Sequence, residues 1–165
     1  MSISTRSATP RSIDTRAAES IARGTLRLLS GLGFAGLQEM TFSNNRRADV
    51  VAIDASGHIT IAEVKSSVAD FRSDAKWHHY MEFCDSFYFA VNPDFPQALI
   101  PEDVGLIVAD NYDGAIIRQA QTVKLSGARR KSVLLKFGRL AATRLQSHHD
   151  ADWTAALASP TGRVS

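Results

Sequence analysis

Two short apolar runs joined by a four-residue turn signal dominate the stretch from residue 46 to residue 80. Residues 48–53 form a run rich in β-branched side chains, and Ile59–Lys65 forms a second run of the same kind. The four residues 54–57, Asp-Ala-Ser-Gly, favour a tight hairpin connection between them. Runs of this composition are typical of strands buried on both faces, so we expect a hairpin at the centre of a sheet.

Helical patterns lie on both sides of this hairpin. Apolar residues recur at spacings of three and four from Ile13 onward, and Gly31 and Gly33 supply a stop for this first helix. Ser67 and Asp70 fit a capping box that begins a second helix, which we expect to continue to about residue 82. Its buried stripe is expected to contain Trp77, Tyr80 or Met81, and Cys84.

The remaining patterns complete an α/β domain. Further strands are expected at residues 37–42, 87–91, 104–109 and 115–118, and a C-terminal helix is expected over residues 129–147. The resulting order is helix 1, a three-strand meander, helix 2, further strands and the C-terminal helix. This order predicts a mixed sheet flanked by helices.

The chain of 165 residues has the length of one domain, which we assign to residues 13–147. Residues 1–12 are rich in Ser, Thr and Arg and are expected to form a flexible arm, whereas residues 148–165 are expected to form a tail with a short helix over 151–158. No apolar run approaches the roughly 20 residues of a membrane-spanning helix. We therefore expect no membrane insertion, no secretion, and a cytoplasmic, nucleoid-associated location.

Cysteine content and charge limit the remaining function classes. Cys84 is the only cysteine, which excludes an internal disulfide and a Cys-based zinc site within one chain. The net charge of +2 is too small to identify a nucleic-acid-binding protein by itself. However, 14 of the 19 basic residues are Arg, and they occur in clusters that suit either a polyanionic partner or a solvated surface.

Three charged residues of the predicted hairpin converge. Glu63 and Lys65 lie two positions apart on one strand and therefore point to the same face. Asp49 on the other strand is about as far from the turn as this pair, so it lies roughly opposite them. Apolar neighbours surround all three residues, and charges at such a depth must be compensated or used.

Metal-assisted phosphodiester hydrolysis uses such a set. Asp49 and Glu63, with a backbone carbonyl such as that of Val64, would hold Mg²⁺ or Mn²⁺, which prefer oxygen ligands. The metal would polarise the phosphate and activate water, while Lys65 would orient the nucleophile or neutralise the developing charge. The alternative is a structural cluster of ion pairs in a catalytically inactive fold.

The order of these residues resembles the signature of the PD-(D/E)XK nuclease superfamily, which has the restriction-endonuclease-like fold. More narrowly, the chain resembles the MmcB-like family of bacterial DNA repair proteins over about residues 15–147. The segments that carry this second resemblance are residues 46–49, 63–67, 70–72, 74, 76–77, 80, 84–85 and 101–110. The resemblance implies a role in repairing damaged DNA, with nuclease activity inferred from the superfamily. One departure is Ala48 in place of the Pro of the superfamily signature, a variation that is tolerated because that Pro is not a metal ligand.

The resemblance also directs attention to supporting residues. Many superfamily members carry a further acidic residue in helix 1, for which Glu19 is the candidate here, and Glu39 in the first strand competes for the same supporting role at the metal. Lys76 and Tyr80 have the spacing of a Gln and a Tyr found in some branches, so both are candidates for DNA contact. Arg46, Arg47 and Arg72 are further candidates, because they lie where the DNA backbone would pass.

Two function classes therefore remain. The first is a Mg²⁺- or Mn²⁺-dependent deoxyribonuclease acting in DNA repair, and RNA cleavage by the same site is a variant of it. The second is a catalytically idle module of the same fold that binds damaged or branched DNA and recruits other DNA repair proteins. The doublets His78-His79 and His148-His149 are interpreted as solvated pairs, because adjacent helical residues point about 100° apart.

Overall fold

The computed structural model describes residues 10–152, with side chains of the first helix described from residue 14 onward. The α-helices are α1 Pro10–Gly31, α2 Val68–Ser73 and α3 Gly127–His149, and two 3₁₀ helices span Trp77–Phe83 and Gln97–Leu99. The strands are β1 Ala35–Thr41, β2 Arg47–Ile53, β3 Ile59–Lys65, β4 Ser86–Val91, β5 Gly105–Ala109 and β6 Gly114–Arg118. Within this part of the chain, no helix combines the length and apolar character that crossing a membrane requires.

The six strands form one mixed sheet in the order β1-β2-β3-β4-β5-β6. Strand β4 is parallel to both β3 and β5, and the other neighbouring strands are antiparallel. The predicted hairpin is confirmed, with Ile53 opposite Ile59 and Val50 opposite Ala62. All seven residues of β3 are buried, as expected for a strand covered on both faces.

The two faces of the sheet carry separate apolar cores. One core packs α1, including Ile21 and Leu29, against Val50 and Ala62 of the central strands. The other core joins the aromatic residues of the first 3₁₀ helix and the two phenylalanines of β4 to Phe137 of α3. The α/β class predicted from the sequence, with a mixed sheet between helices, is therefore confirmed.

A glycine lets α1 lie directly on the turn between β5 and β6. A Cβ atom at Gly24 would overlap the carbonyl oxygen of Asp110 and lie 2.5 Å from that of Asp113. Only a residue without a side chain permits this approach of helix backbone to turn backbone.

The prediction of one continuous second helix is wrong. Helix α2 ends at Ser73, and the 3₁₀ helix Trp77–Phe83 follows after a break. Asp74 causes the break, since its backbone leaves the helical region and its Oδ1 accepts a hydrogen bond from the Lys76 amide at 3.1 Å. The 3₁₀ geometry also leaves Met81 42% exposed. The other expected members of the stripe, Trp77, Tyr80 and Cys84, are buried.

The described helices extend beyond both ends of the segment assigned to the domain, residues 13–147. Helix α1 begins at Pro10, inside the segment expected to be an arm, and Pro is tolerated in a first helical turn because its missing N–H has no intrahelical partner there. Residues 1–9 lie outside the described residues. Of the short helix expected over 151–158, Ala151 and Asp152 are helical and the other positions lie outside the described residues.

Candidate active site

Asp49 and Glu63 meet where the backbone pairing of β2 with β3 ends. The last paired residues are Val50 and Ala62. Beyond this pair, the Val64 amide donates its hydrogen bond to Oδ2 of Asp49 at 2.8 Å. The Asp49 carboxylate thus takes the place of a backbone carbonyl as the acceptor for this amide. The Asp49 amide in turn donates to Oε2 of Glu63 at 3.4 Å. These two bonds hold the carboxylates next to each other at the end of the hairpin.

Burial makes this carboxylate pair electrostatically costly. Glu63 is 7% exposed, and its burial, followed by the nearby charge of Asp49, raises its pKa to about 8. Burial also raises the pKa of Asp49, although the Val64 amide and Lys65 oppose this. A cation bound between the two carboxylates would relieve both effects.

Lys65 lies beside this pair but forms its ion pairs elsewhere. The residue is 4% exposed, and its Nζ donates to Oδ2 of Asp74 at 2.8 Å. A second carboxylate, that of Asp70, lies 4.0 Å from the same nitrogen. Over residues 10–152, no ion pair joins Lys65 to Asp49 or Glu63.

A cavity of about 360 Å³ opens beside Asp49, between α1 and the ends of β1, β2 and β3. Glu19 from α1 and Glu39 from β1 both line it, so the choice between these two supporting carboxylates stays open. The other charged residues of its wall are Asp14, Arg47, Asp49 and Asp70. No group of three His, Cys, Asp or Glu side chains among the described residues is arranged to hold a metal ion. Any metal held by Asp49 and Glu63 therefore needs backbone oxygen or water as further ligands.

Glu39 has a strained backbone directly opposite Asp49. Its φ is 55°, in the left-handed region that only glycine adopts at little cost. The register of β1 with β2 runs through Gln38 opposite Val50 and Met40 opposite Ala48, and the Glu39 position between them is distorted. Arg144 of α3 donates to the backbone carbonyls of Gln38 and Glu39. Nothing in the sequence indicates this feature, because Arg144 is more than 100 residues away.

The candidate DNA-contacting residues differ in accessibility. Arg47, Arg72 and Lys76 are exposed, and Arg46 is half-buried with its guanidinium 5.8 Å from the centre of the Tyr80 ring. Tyr80 itself is 3% exposed, and its hydroxyl donates to the Arg47 carbonyl at 2.7 Å. Burial, followed by the charges of Glu63 and Asp49, raises the Tyr80 pKa above its usual range. The structure therefore places Tyr80 beneath the segment that carries the two arginines.

Asp74 is the residue of this region that sequence reasoning overlooked as a functional candidate. The expected continuous helix would have placed it among exposed helical positions. A Ser-x-x-Asp cap followed by a second Asp four residues later was the available signal, since Asp favours helix ends over helix interiors.

A family model and a solved structure each match most of the chain. A family model described as "DNA repair protein MmcB-like" matches residues 6–152. A solved structure described as the SPO1766 protein of unknown function from Silicibacter pomeroyi is 39% identical, with a TM-score of 0.81. That match covers 90% of this chain and 97% of the other. No curated protein sequence matches the chain.

Proposed function

Because the chain belongs to the MmcB-like family of DNA repair proteins, we propose that it hydrolyses phosphodiester bonds of DNA with a divalent metal ion held by Asp49 and Glu63. The observation that carries this proposal is the pair of neighbouring carboxylates at the end of the β2–β3 hairpin, Glu63 buried and Asp49 half-buried, each of which accepts a hydrogen bond from a backbone amide. Lys65 follows two residues after Glu63 and supplies a buried ammonium to the same region.

The residues present fit a hard cation such as Mg²⁺ or Mn²⁺. Both side chains of the pair offer carboxylate oxygens, and the carbonyl of Val64 between Glu63 and Lys65 is a candidate for a third oxygen ligand. Two adjacent carboxylates removed from water are unfavourable without a compensating charge. A divalent ion supplies that charge.

Each residue of the site has a definable task in this proposal. The metal, when bound, lowers the pKa of water and stabilises negative charge on the phosphate. Asp49 and Glu63 would hold it, and the backbone amides of Val64 and Asp49, which donate to the Asp49 and Glu63 carboxylates respectively, orient the two side chains. Lys65 places a positive charge where negative charge develops during hydrolysis.

DNA would approach from the side of the exposed basic residues. Arg47 lines the cavity together with Asp49, and Arg72 and Lys76 lie on the segment that follows β3. Such side chains contact phosphates without reading the base sequence. Tyr80 supports this surface from below through its hydrogen bond to the Arg47 carbonyl.

The test is cleavage of labelled single-stranded, duplex, nicked, flap and four-way-junction DNA, with an RNA strand included, in Mg²⁺, Mn²⁺ or EDTA. We expect metal-dependent products from the wild type and a loss of rate on the order of 10²–10³-fold in Asp49→Asn, Glu63→Gln and Lys65→Met. The exposed Asp94, changed to Asn, is the matched control and should cleave normally. Circular dichroism and thermal unfolding of each variant show that the fold is retained.

A second candidate function has one observation in its favour, namely that the Lys65 ammonium pairs with Asp74 and Asp70 and not with the carboxylate pair. In that case the protein binds a DNA structure and recruits other repair proteins. Wild-type protein that cleaves nothing but retains one DNA structure equally in Mg²⁺ and EDTA would replace the nuclease proposal with this one.

A further inference from the structure

We propose that Asp74 is a positioning residue that holds the Lys65 ammonium inside the candidate site, a role that rests on the proposed nuclease function and extends it. The Nζ atom of Lys65 lies 2.8 Å from Oδ2 of Asp74. The exposed fractions of the two side chains are 5% and 16%, so the pair is largely removed from water. Hydrogen bonds between ionised groups at such depth are short and directional.

The surrounding fold fixes the Asp74 carboxylate from both sides. Phe71, three residues before it, packs edge-on against Phe89 with ring centres 5.3 Å apart. Trp77, three residues after it, packs against the same ring at 5.3 Å. The other carboxylate oxygen of Asp74 accepts from the Lys76 amide. The turn between α2 and the first 3₁₀ helix is thus fixed by packing on both sides, and it places the Asp74 carboxylate next to the Lys65 ammonium.

Asp70 is the other carboxylate near this ammonium, and its position suits a weaker role. Its Oδ1 lies 4.0 Å from Nζ, beyond hydrogen-bond distance. Its Oδ2 accepts a hydrogen bond from the Ser66 amide at 3.2 Å. Asp70 therefore contributes charge, while Asp74 supplies the directional contact that orients the lysine.

This contact matters for catalysis because a lysine side chain has a flexible stem of four carbons, which does not by itself fix the position of the ammonium group. A buried ammonium without its carboxylate would move toward another partner or toward water. With Asp74 in place, a phosphate arriving beside Asp49 and Glu63 meets a charge already oriented. A displacement of about 1 Å in such a group costs on the order of 10²-fold in rate.

The pairing can be measured without any catalytic assay. The chain has five lysines, and Lys65 is the buried one, since Lys76, Lys124, Lys131 and Lys136 are exposed. In protein labelled with ¹⁵N at lysine Nζ and with ¹³C at the aspartate carboxylates, we expect one ammonium signal that is protected from solvent exchange and coupled to the Asp74 carboxylate carbon. Asp74→Asn keeps the shape and an acceptor for the Lys76 amide, and it should abolish this signal. Absence of the protected signal in wild-type protein, or its persistence in Asp74→Asn, would overturn the proposal.

Cleavage kinetics then test whether the contact positions a catalytic group. We expect Asp74→Asn to lower kcat by roughly 10²-fold with KM nearly unchanged. Asp74→Glu, which keeps the charge, should recover part of the rate, and the control Asp94→Asn should match the wild type. Normal kcat in Asp74→Asn would overturn the positioning role. A wild type that cleaves nothing would instead overturn the proposed function, and the ammonium signal would still decide whether Asp74 holds Lys65.

Discussion

The strongest prediction about the stability of this fold concerns Asp85, which lies between the first 3₁₀ helix and β4 and is 3% exposed. Its carboxylate accepts hydrogen bonds from the Ile59 amide at 2.8 Å and the Leu125 amide at 2.9 Å. It also accepts two bonds from the Arg130 guanidinium, each 2.6 Å long. One side chain thus joins the start of β3, the segment before α3, and α3 itself.

Replacing Asp85 with Ala removes all four bonds at once. The two backbone amides lose their acceptor in a buried setting, at about 1–3 kcal/mol for each group left unsatisfied. The Arg130 side chain is 20% exposed and can turn toward water, which limits its share of the loss. We therefore expect the free energy of unfolding to fall by about 3–5 kcal/mol, the range for breaking a buried pair by removing one partner. For a domain of this size, this corresponds to a drop in Tm of about 10 °C or more.

The same interaction predicts a dependence on pH. Desolvation acts to raise the pKa of Asp85, but the Arg130 guanidinium and the amides of Ile59 and Leu125 outweigh it and hold this pKa well below its usual range. A carboxyl whose pKa is lower in the folded state stabilises the fold above its unfolded pKa of about 3.9. This stabilisation is lost as the pH falls below that value toward the folded pKa. The stability difference between wild type and Asp85→Asn should therefore shrink below about pH 4.

Urea unfolding followed by far-UV circular dichroism measures both effects. Asp94→Ala is the control, because this aspartate is exposed on the turn after β4. If Asp85→Ala lowers the free energy of unfolding by less than about 1 kcal/mol, as is typical of a surface ion pair, Asp85 does not stabilise the fold as a buried hydrogen-bonded carboxylate. A difference between wild type and Asp85→Asn that stays constant from pH 7 to pH 3 would refute the electrostatic part.

Two further predictions test the packing of α1 and the role of Tyr80. Gly24→Ala should destabilise the fold by about 1–3 kcal/mol, because the new methyl group would overlap the Asp110 carbonyl. A urea unfolding midpoint equal to that of the wild type would contradict this close approach of α1 to the turn. Tyr80→Phe should cost about 1 kcal/mol by removing the hydrogen bond to the Arg47 carbonyl, while DNA affinity measured by fluorescence anisotropy stays unchanged. A large loss of affinity with little loss of stability would return Tyr80 to the set of direct DNA contacts.

The hairpin and its carboxylate pair could be predicted because they depend on local rules. Strand alternation and distance from a turn are properties of neighbouring residues, and they suffice to bring Asp49 near Glu63. The buried runs of β2 and β3 likewise follow from their β-branched composition. The order of the elements then limits the sheet to few arrangements.

The second helix and the left-handed Glu39 could not be predicted in the same way. A helical pattern over residues 68–82 does not indicate that the Asp74 carboxylate accepts hydrogen bonds from the Lys65 ammonium and from the Lys76 amide. These bonds favour a break in the helix at Asp74, which the pattern alone does not predict. The conformation of Glu39 is held by an arginine of α3 that the sequence places 105 residues away. Both departures lie beside the candidate site, where local preference commonly yields to tertiary contacts.

Periodicity and turn composition are local properties of the chain, and they already specify the class of fold and the central hairpin. The partners of the buried charges follow instead from the packed arrangement of the sheet and helices. Lys65 shares a strand with Glu63 but pairs with Asp74, and Arg130 reaches Asp85 across 45 residues. Pairing of buried charges depends on distances of a few ångströms, and those distances exist only after the sheet and helices have packed.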